Sequence, residues 1–233
     1  MQIHVGTSGY AYKEWKGSFY PADLPASGML KYYGERFGTV EINNSFYRMP
    51  KESVLEDWAL QVPEGFKFVL KAPQRITHFQ RLKGSEESVA FLFRVAAVLK
   101  EREGPILFQL PPNMKQDLPR LQEFLALVPP GKRIAFEFRH ESWFEERSLK
   151  MLSDHGVALC IAEAEDGVEV PFVATADWGY IRLRRPDYGP ADLKKWVKLV
   201  AKQKWTDAFV FFKHEDEGMG PKLAKKFMDL MEK

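Results

Sequence analysis

The residues with chemistry to offer come in pairs two positions apart: Glu41 and Asn43 in VEINNSF, Glu137 and Arg139 in RIAFEFRHESW (133–143), Arg182 and Arg184 in YIRLR. Lys67 and Lys71, in FKFVLK, keep the same parity. Strand side chains alternate between faces, so each set shares one face. The opposite faces are apolar: Val40 and Ile42, Phe136 and Phe138, Ile181 and Leu183, and Phe66, Phe68 and Leu70. Buried ions are costly, so the charged faces must meet water, a counter-ion or a ligand. Glu41 and Glu137 are the kind of carboxylate pair that general acid–base chemistry uses. His140 lies just past the strand that carries Glu137, where a base or ligand can act. Lys71, Arg139, Arg182, Arg184 and Lys213 outnumber the acids and form a candidate anion-binding cup. The competing reading is an internal salt-bridge network, Glu137 with Arg139 or Arg182, that only holds the fold closed.

Those residues need elements to carry them. Strands are expected at 3–7, 39–46, 66–71, 106–110, 134–139, 157–162, 180–184 and 208–213. Helical spacing falls at 25–37, 51–61, 85–99, 118–128, 142–154, 190–203 and 221–231. Ser85 followed by Glu86 and Glu87 reads as a helix cap, and Asp117 as another. The stretch 73–83, with Arg75, Thr77, His78 and Arg81, reads as a long loop. The stretch 163–176 has no helical period and reads as an irregular crossover between strands six and seven. Eight strands, seven of them followed by helices, in 233 residues imply a closed α/β barrel of the TIM type, (β/α)8, as a single domain spanning 1–233. An open doubly wound sheet is the alternative, but Gly6-Thr-Ser-Gly9 lacks the spacing of a dinucleotide-binding loop. In a barrel the outward residues pack under helices, which places the apolar faces outward and the charged faces inside. Sites form at the C-terminal ends of the strands, where Gln109 joins the residues already named.

The bulk numbers exclude some classes. Net charge is +2, so any basic site must be local. One cysteine, Cys160, sits in the apolar run VALCIA; it rules out a disulfide within the chain, fits a reducing compartment and reads as core. The opening MQIHVGTSG lacks a basic-then-apolar leader pattern, and no run reaches membrane-spanning length, so a cytoplasmic protein with no membrane role is expected. The five histidines show neither H-E-x-x-H nor paired-cysteine spacing, and no metal or cofactor is assigned. Aromatics are abundant: 18 Phe, 8 Tyr and 6 Trp. Tyr10, Tyr12, Trp15, Tyr20, Phe46, Tyr47, Trp143 and Tyr188 fall in loops on one rim. They suit the stacking of bases or sugars over a phosphate-binding floor, or else pack on one another as a lid.

The segments GTSGYAYKEWKGSFYP (6–21), VEINNSFYRMP (40–50), FKFVLK (66–71), ITH (76–78), LFQLPP (107–112), FEFRHESW (136–143) and YIRLR (180–184) together resemble the YecE-like family, TIM-barrel proteins of the DUF72 type whose function is unknown. The resemblance covers the whole length and implies the barrel. It also places Tyr10, Trp15, Glu41, Asn43, Tyr47, Lys71, His78, Gln109, Glu137, Arg139, His140, Trp143 and Arg182 in the family pattern. Two departures stand out. Relatives often carry a histidine where this chain has Arg184, and an asparagine-rich turn where it has Lys213-His-Glu-Asp216.

The expected function is that of a hydrolase or isomerase acting on a phosphorylated or nucleotide-like substrate at the C-terminal mouth. Glu41, Glu137 and His140 are the expected catalytic groups. Tyr10, Trp15, Asn43, Tyr47, Lys71, His78, Gln109, Arg139, Trp143, Arg182 and Arg184 are the expected substrate contacts. Two alternatives stand beside it: a nucleic-acid-binding module without chemistry, and a carbohydrate-active enzyme using the paired carboxylates. The partner expected is a small anionic ligand, with nucleic acid as the second choice.

Overall fold

The computed structural model describes residues 1–163 and 167–232. Among them eight parallel strands close a barrel in chain order. These are β1 (Gln2–Ser8), β2 (Thr39–Ile42), β3 (Lys67–Lys71), β4 (Glu103–Gln109), β5 (Ile134–Glu137), β6 (Ala158–Glu163), β7 (Trp178–Leu183) and β8 (Asp207–Phe212). β1 closes the ring by pairing with β8 from Gln2↔Asp207 to Thr7↔Phe212. Helices α1 (Met29–Gly34), α2 (Glu52–Gln61), α3 (Glu86–Ala96), α4 (Leu118–Leu125) and α5 (Glu146–Asp154) follow the first five strands; α6 (Pro190–Ala201) follows β7 and α7 (Met219–Met231) follows β8. This is the (β/α)8 arrangement expected from the alternation of strand and helix patterns.

The strand parities run as the alternation requires. Phe108 and Phe136 face outward, where Phe124 of α4 packs on both, with ring centroids 5.1 and 5.9 Å away. Inside, Val69, Leu107, Ala135, Cys160, Tyr180, Phe209 and Phe211 form a separate apolar plug. Above it sit Glu41, Glu137 and Arg182, all buried. The barrel interior is therefore apolar through its middle and ionic at its C-terminal end.

Several elements differ from the sequence expectation. The helix expected over 25–37 is a 3-10 turn, Ala26–Gly28, followed by the six-residue α1. Gly34 ends it, seated so close to Val62 that an added Cβ would lie 3.1 Å from that side chain. The expected loop at 73–83 contains a π-helical turn, Arg75–Phe79. Ser85 does not cap α3 with its side chain; its hydroxyl donates instead to the Leu82 carbonyl at 3.3 Å. Asp117 does cap α4, accepting from the Arg120 N–H at 3.1 Å. The helix expected over 142–154 is split into a 3-10 turn, Glu141–Phe144, and α5. Of the crossover between strands six and seven, Glu163 belongs to β6 and 167–176 form no helix; 164–166 lie outside the described residues. Phe172 covers that side of the barrel, its ring 6.0 Å from both Trp196 and Trp205.

Candidate active site at the barrel mouth

Strand ends from across the barrel meet in one hydrogen-bonded chain. Arg182, on β7, is 2% exposed and bridges both carboxylates. Its Nη2 donates to Glu41 Oε1 at 2.8 Å and its Nη1 to Glu137 Oε2 at 2.5 Å. The Tyr180 hydroxyl donates to the other Glu41 oxygen at 2.6 Å. Glu137 Oε1 accepts from Arg184 Nη2 at 3.1 Å and from Gln109 Nε2 at 2.9 Å. The Gln109 carbonyl oxygen in turn accepts from Lys71 Nζ at 2.9 Å, which fixes the amide's orientation. All four carboxylate oxygens are thus committed to donors within the protein.

This wiring sets the charge states. Burial pushes the Glu41 carboxyl up, but Arg182, Ser8 and Tyr180 more than offset it and leave it below the usual carboxylate range. Burial likewise opposes ionisation of Glu137, yet Arg182, Arg184 and Gln109 hold it down at about 2. Both are fixed anions at neutral pH. Lys71 moves the other way. Burial and the nearby Arg182 lower its ammonium to about 8, against a partial counter-pull from Glu137 and Glu41. Its Nζ lies 4.2 Å from the centre of the Phe46 ring. His78, on the π-helical turn, stands edge-on to that ring at 4.9 Å and shares a 2.9 Å hydrogen bond with Thr77 through Nδ1. Burial first, then the charges of Lys71, Arg139 and Arg81, lowers the His78 imidazole.

A cavity of about 210 Å³ opens beside this chain, lined by Glu137, Arg139 and Arg184 and walled by Phe138, Val168 and Val170. A smaller one, about 110 Å³, lies between Tyr10, Tyr12, Asn43 and Trp58. Asn43 Oδ1 and the Nε atoms of Arg182 and Arg184 are buried without a hydrogen-bond partner among the described residues. Buried polar atoms normally find partners, so these three mark where a ligand's or water's polar atoms would be held.

The structure brings Glu41, Gln109, Glu137, Arg182, Arg184 and Lys71 together, and seats His78 and Arg139 beside them. It separates others. Trp15 is buried, its indole N–H donating to the Glu215 carbonyl at 2.9 Å. Trp143 is buried flat on Phe138, 4.6 Å between ring centres, with its N–H donating to Met114 O at 2.8 Å. Both rings are fully buried here, as in the self-packing alternative, rather than open for stacking. Both are spent on holding loops against the barrel. Tyr10 packs edge-on against Trp58 at 6.3 Å, in the smaller cavity. Tyr47 is 73% exposed on the rim. His140 caps the turn after β5, its Nδ1 accepting from the Ser142 N–H at 3.2 Å. Sequence reasoning missed Tyr180 as a partner of Glu41. Its signal was present, since it shares the inward parity of Arg182.

Fold and mouth define the class: a (β/α)8-barrel protein with an ionic cluster and cavities at the C-terminal ends of its strands. A model of the family described as "Protein of unknown function DUF72" matches residues 4–233, and the chain belongs to that family. UPF0759 protein YunF of Bacillus subtilis is 25% identical over 99% of this chain and 95% of its own length. UPF0759 protein YecE of Escherichia coli is 30% identical over 70% of this chain; the match spans 59% of YecE. A DUF72 family crystal structure from Thermotoga maritima superposes with a TM-score of 0.87 at 25% identity, covering all of both chains. One from Enterococcus faecalis has the same fold, with a TM-score of 0.79 at 20% identity, covering 98% of that chain. No helix among the described residues is long and apolar enough to cross a membrane. Nor do the described residues bring three or more His, Cys, Asp or Glu together where a metal could be held.

Proposed function

We propose that the barrel mouth binds a small anionic, nucleotide-like substrate and that Lys71 and His78, not the carboxylates, move the proton in a hydrolase- or isomerase-type reaction. One observation carries this reading. Glu41 and Glu137 are already neutralised from within, while Lys71 and Arg139 face the mouth with no carboxylate partner among the described residues. The local field is therefore cationic; together with burial, the larger cause, it brings Lys71 down toward working pH and keeps the His78 imidazole neutral there. A general base works best with a pKa near the operating pH, which Lys71 at about 8 approaches and Glu137 at about 2 does not. The carboxylates act as a fixed scaffold that orients Arg182 and Arg184. A glycosidase-type pair needs one carboxyl protonated near neutrality, so the carbohydrate reading loses its support.

The nucleotide-like part of the reading rests on the rim. Tyr47 and Phe79 are each 73% exposed, in the loops after β2 and β3. The segments 42–51 and 72–85 carry Arg48, Lys51, Arg75, Arg81 and Lys83 and no Asp or Glu. Exposed rings among cations suit base stacking above a phosphate.

Sulfate, whose charge is constant across the range, tests the cup. Its affinity should fall as pH rises through about 8, where Lys71 loses its proton. Lys71→Met should weaken binding about tenfold and abolish that pH step. Adenosine monophosphate should bind more tightly than inorganic phosphate, and Tyr47→Ser should remove the difference. Sulfate binding that ignores pH and the Lys71 substitution would sink the proposal.

A further inference from the structure

A larger cavity than those at the mouth lies elsewhere. It is a slot of about 650 Å³ on the outer wall, between α7 and the chain flanking α1. α7 runs 13 residues and packs on α6, β1 and β8, but α1 has only six and does not close the seam against it. Phe19 and Phe37 reach into the gap, their ring centres 5.8 Å apart, and with Pro221 and Met228 they make an apolar floor. Around that floor stand Arg36, Lys222, Lys225 and Lys226, with Asp229 the only acid lining the slot. Lys225 pairs with Asp229 at 3.2 Å, and Arg36 lies beside Glu35 and over the Tyr32 ring. Lys222 reaches only a backbone carbonyl, and Lys226 has no acidic partner among the described residues.

Lysines on an outer barrel helix ordinarily project into water and need no explanation. Here they surround an open apolar floor, and that combination is selective. Small-molecule sites have volumes of about 300–1,000 Å³ and apolar walls with few charged groups. The charge excess excludes a cationic guest. It also opposes a second copy of this chain, because a two-fold contact would set the same cations against themselves.

We propose that this slot binds an amphipathic anion, an aliphatic chain ending in a carboxylate, with the chain on Phe19, Phe37 and Met228 and the headgroup at Lys222 and Lys226. The proposal is independent of the reaction at the mouth. It is tested by calorimetric titration of the full chain with dodecanoate below its micelle concentration. Saturable binding at one site is expected. A double Lys222→Glu, Lys226→Glu variant, altered only at exposed positions, should bind about tenfold more weakly with an unchanged thermal midpoint. Lys71→Met, altered at the mouth, should bind as the wild type does. Absence of saturable binding, equal affinity for the uncharged dodecyl maltoside, indifference to the double charge reversal, or loss in the Lys71 variant would each overturn the proposal.

Discussion

Arg182 is the residue on which the barrel mouth depends. Its guanidinium meets two buried carboxylates that have no other strong cation in common. Replacing it with Met leaves buried Glu41 with no cation and Glu137 with Arg184 alone, which should cost about 3–5 kcal/mol in urea denaturation. Tyr180→Phe removes one donor from Glu41 and should cost about 1–3 kcal/mol. Glu137 makes the cluster acid-sensitive. Its folded pKa, about 2, lies below its ordinary 4.5. The unfolded chain therefore binds the proton first, and stability present above about 4.5 is lost as pH falls toward 2. Glu137→Gln should flatten that part of a stability-versus-pH curve while lowering its plateau. Lys71 gives a slope of the same sign in a higher window: its folded pKa of about 8 lies below its ordinary 10.5, so stability rises with pH across that interval and should not in Lys71→Met. The faces of these residues were legible in the sequence because alternation is a local property. Their roles were not. A carboxylate looks free in sequence, and its commitment to Arg182 is made across 45 positions for Glu137 and 141 for Glu41.

At the scale of elements, the alternation of strand and helix patterns was enough to specify the barrel, and residues 167–176, which form no helix, were visible as part of a stretch without period. Helix ends were less legible. Ser85 has the right neighbours for a cap, but its backbone, at φ −111° and ψ 13°, turns the hydroxyl back to Leu82. The burial of Trp15 and Trp143 was also hidden, because their loops look polar in sequence while their rings are pinned by carbonyls of distant segments. Residues 167–176 form no helix, and beside them the Trp205 ring lies directly on the Gly179 backbone, 2.4 Å from where a Cβ would stand. Gly179→Ala must push that indole away and should lower stability by about 1–3 kcal/mol, read as a fall in thermal midpoint and a shift in tryptophan emission.

For the whole molecule, closure is the governing fact. Each strand pairs with both neighbours, and β1 has its full complement only when β8 is in place. Calorimetry should therefore give one unfolding transition with matching calorimetric and van't Hoff enthalpies; two resolved transitions would show a barrel that opens in halves. The long span between Glu41 and Arg182 also bears on how the chain is made. Synthesis runs from the amino end, so both acids leave the ribosome well before the arginine that neutralises them. A nascent chain halted short of residue 182 has two carboxylates destined for a dry interior and nothing to accompany them there. The upper barrel cannot settle until roughly the last quarter of the message is being read, which makes Arg182 a timer for folding during translation as well as a bond in the finished protein.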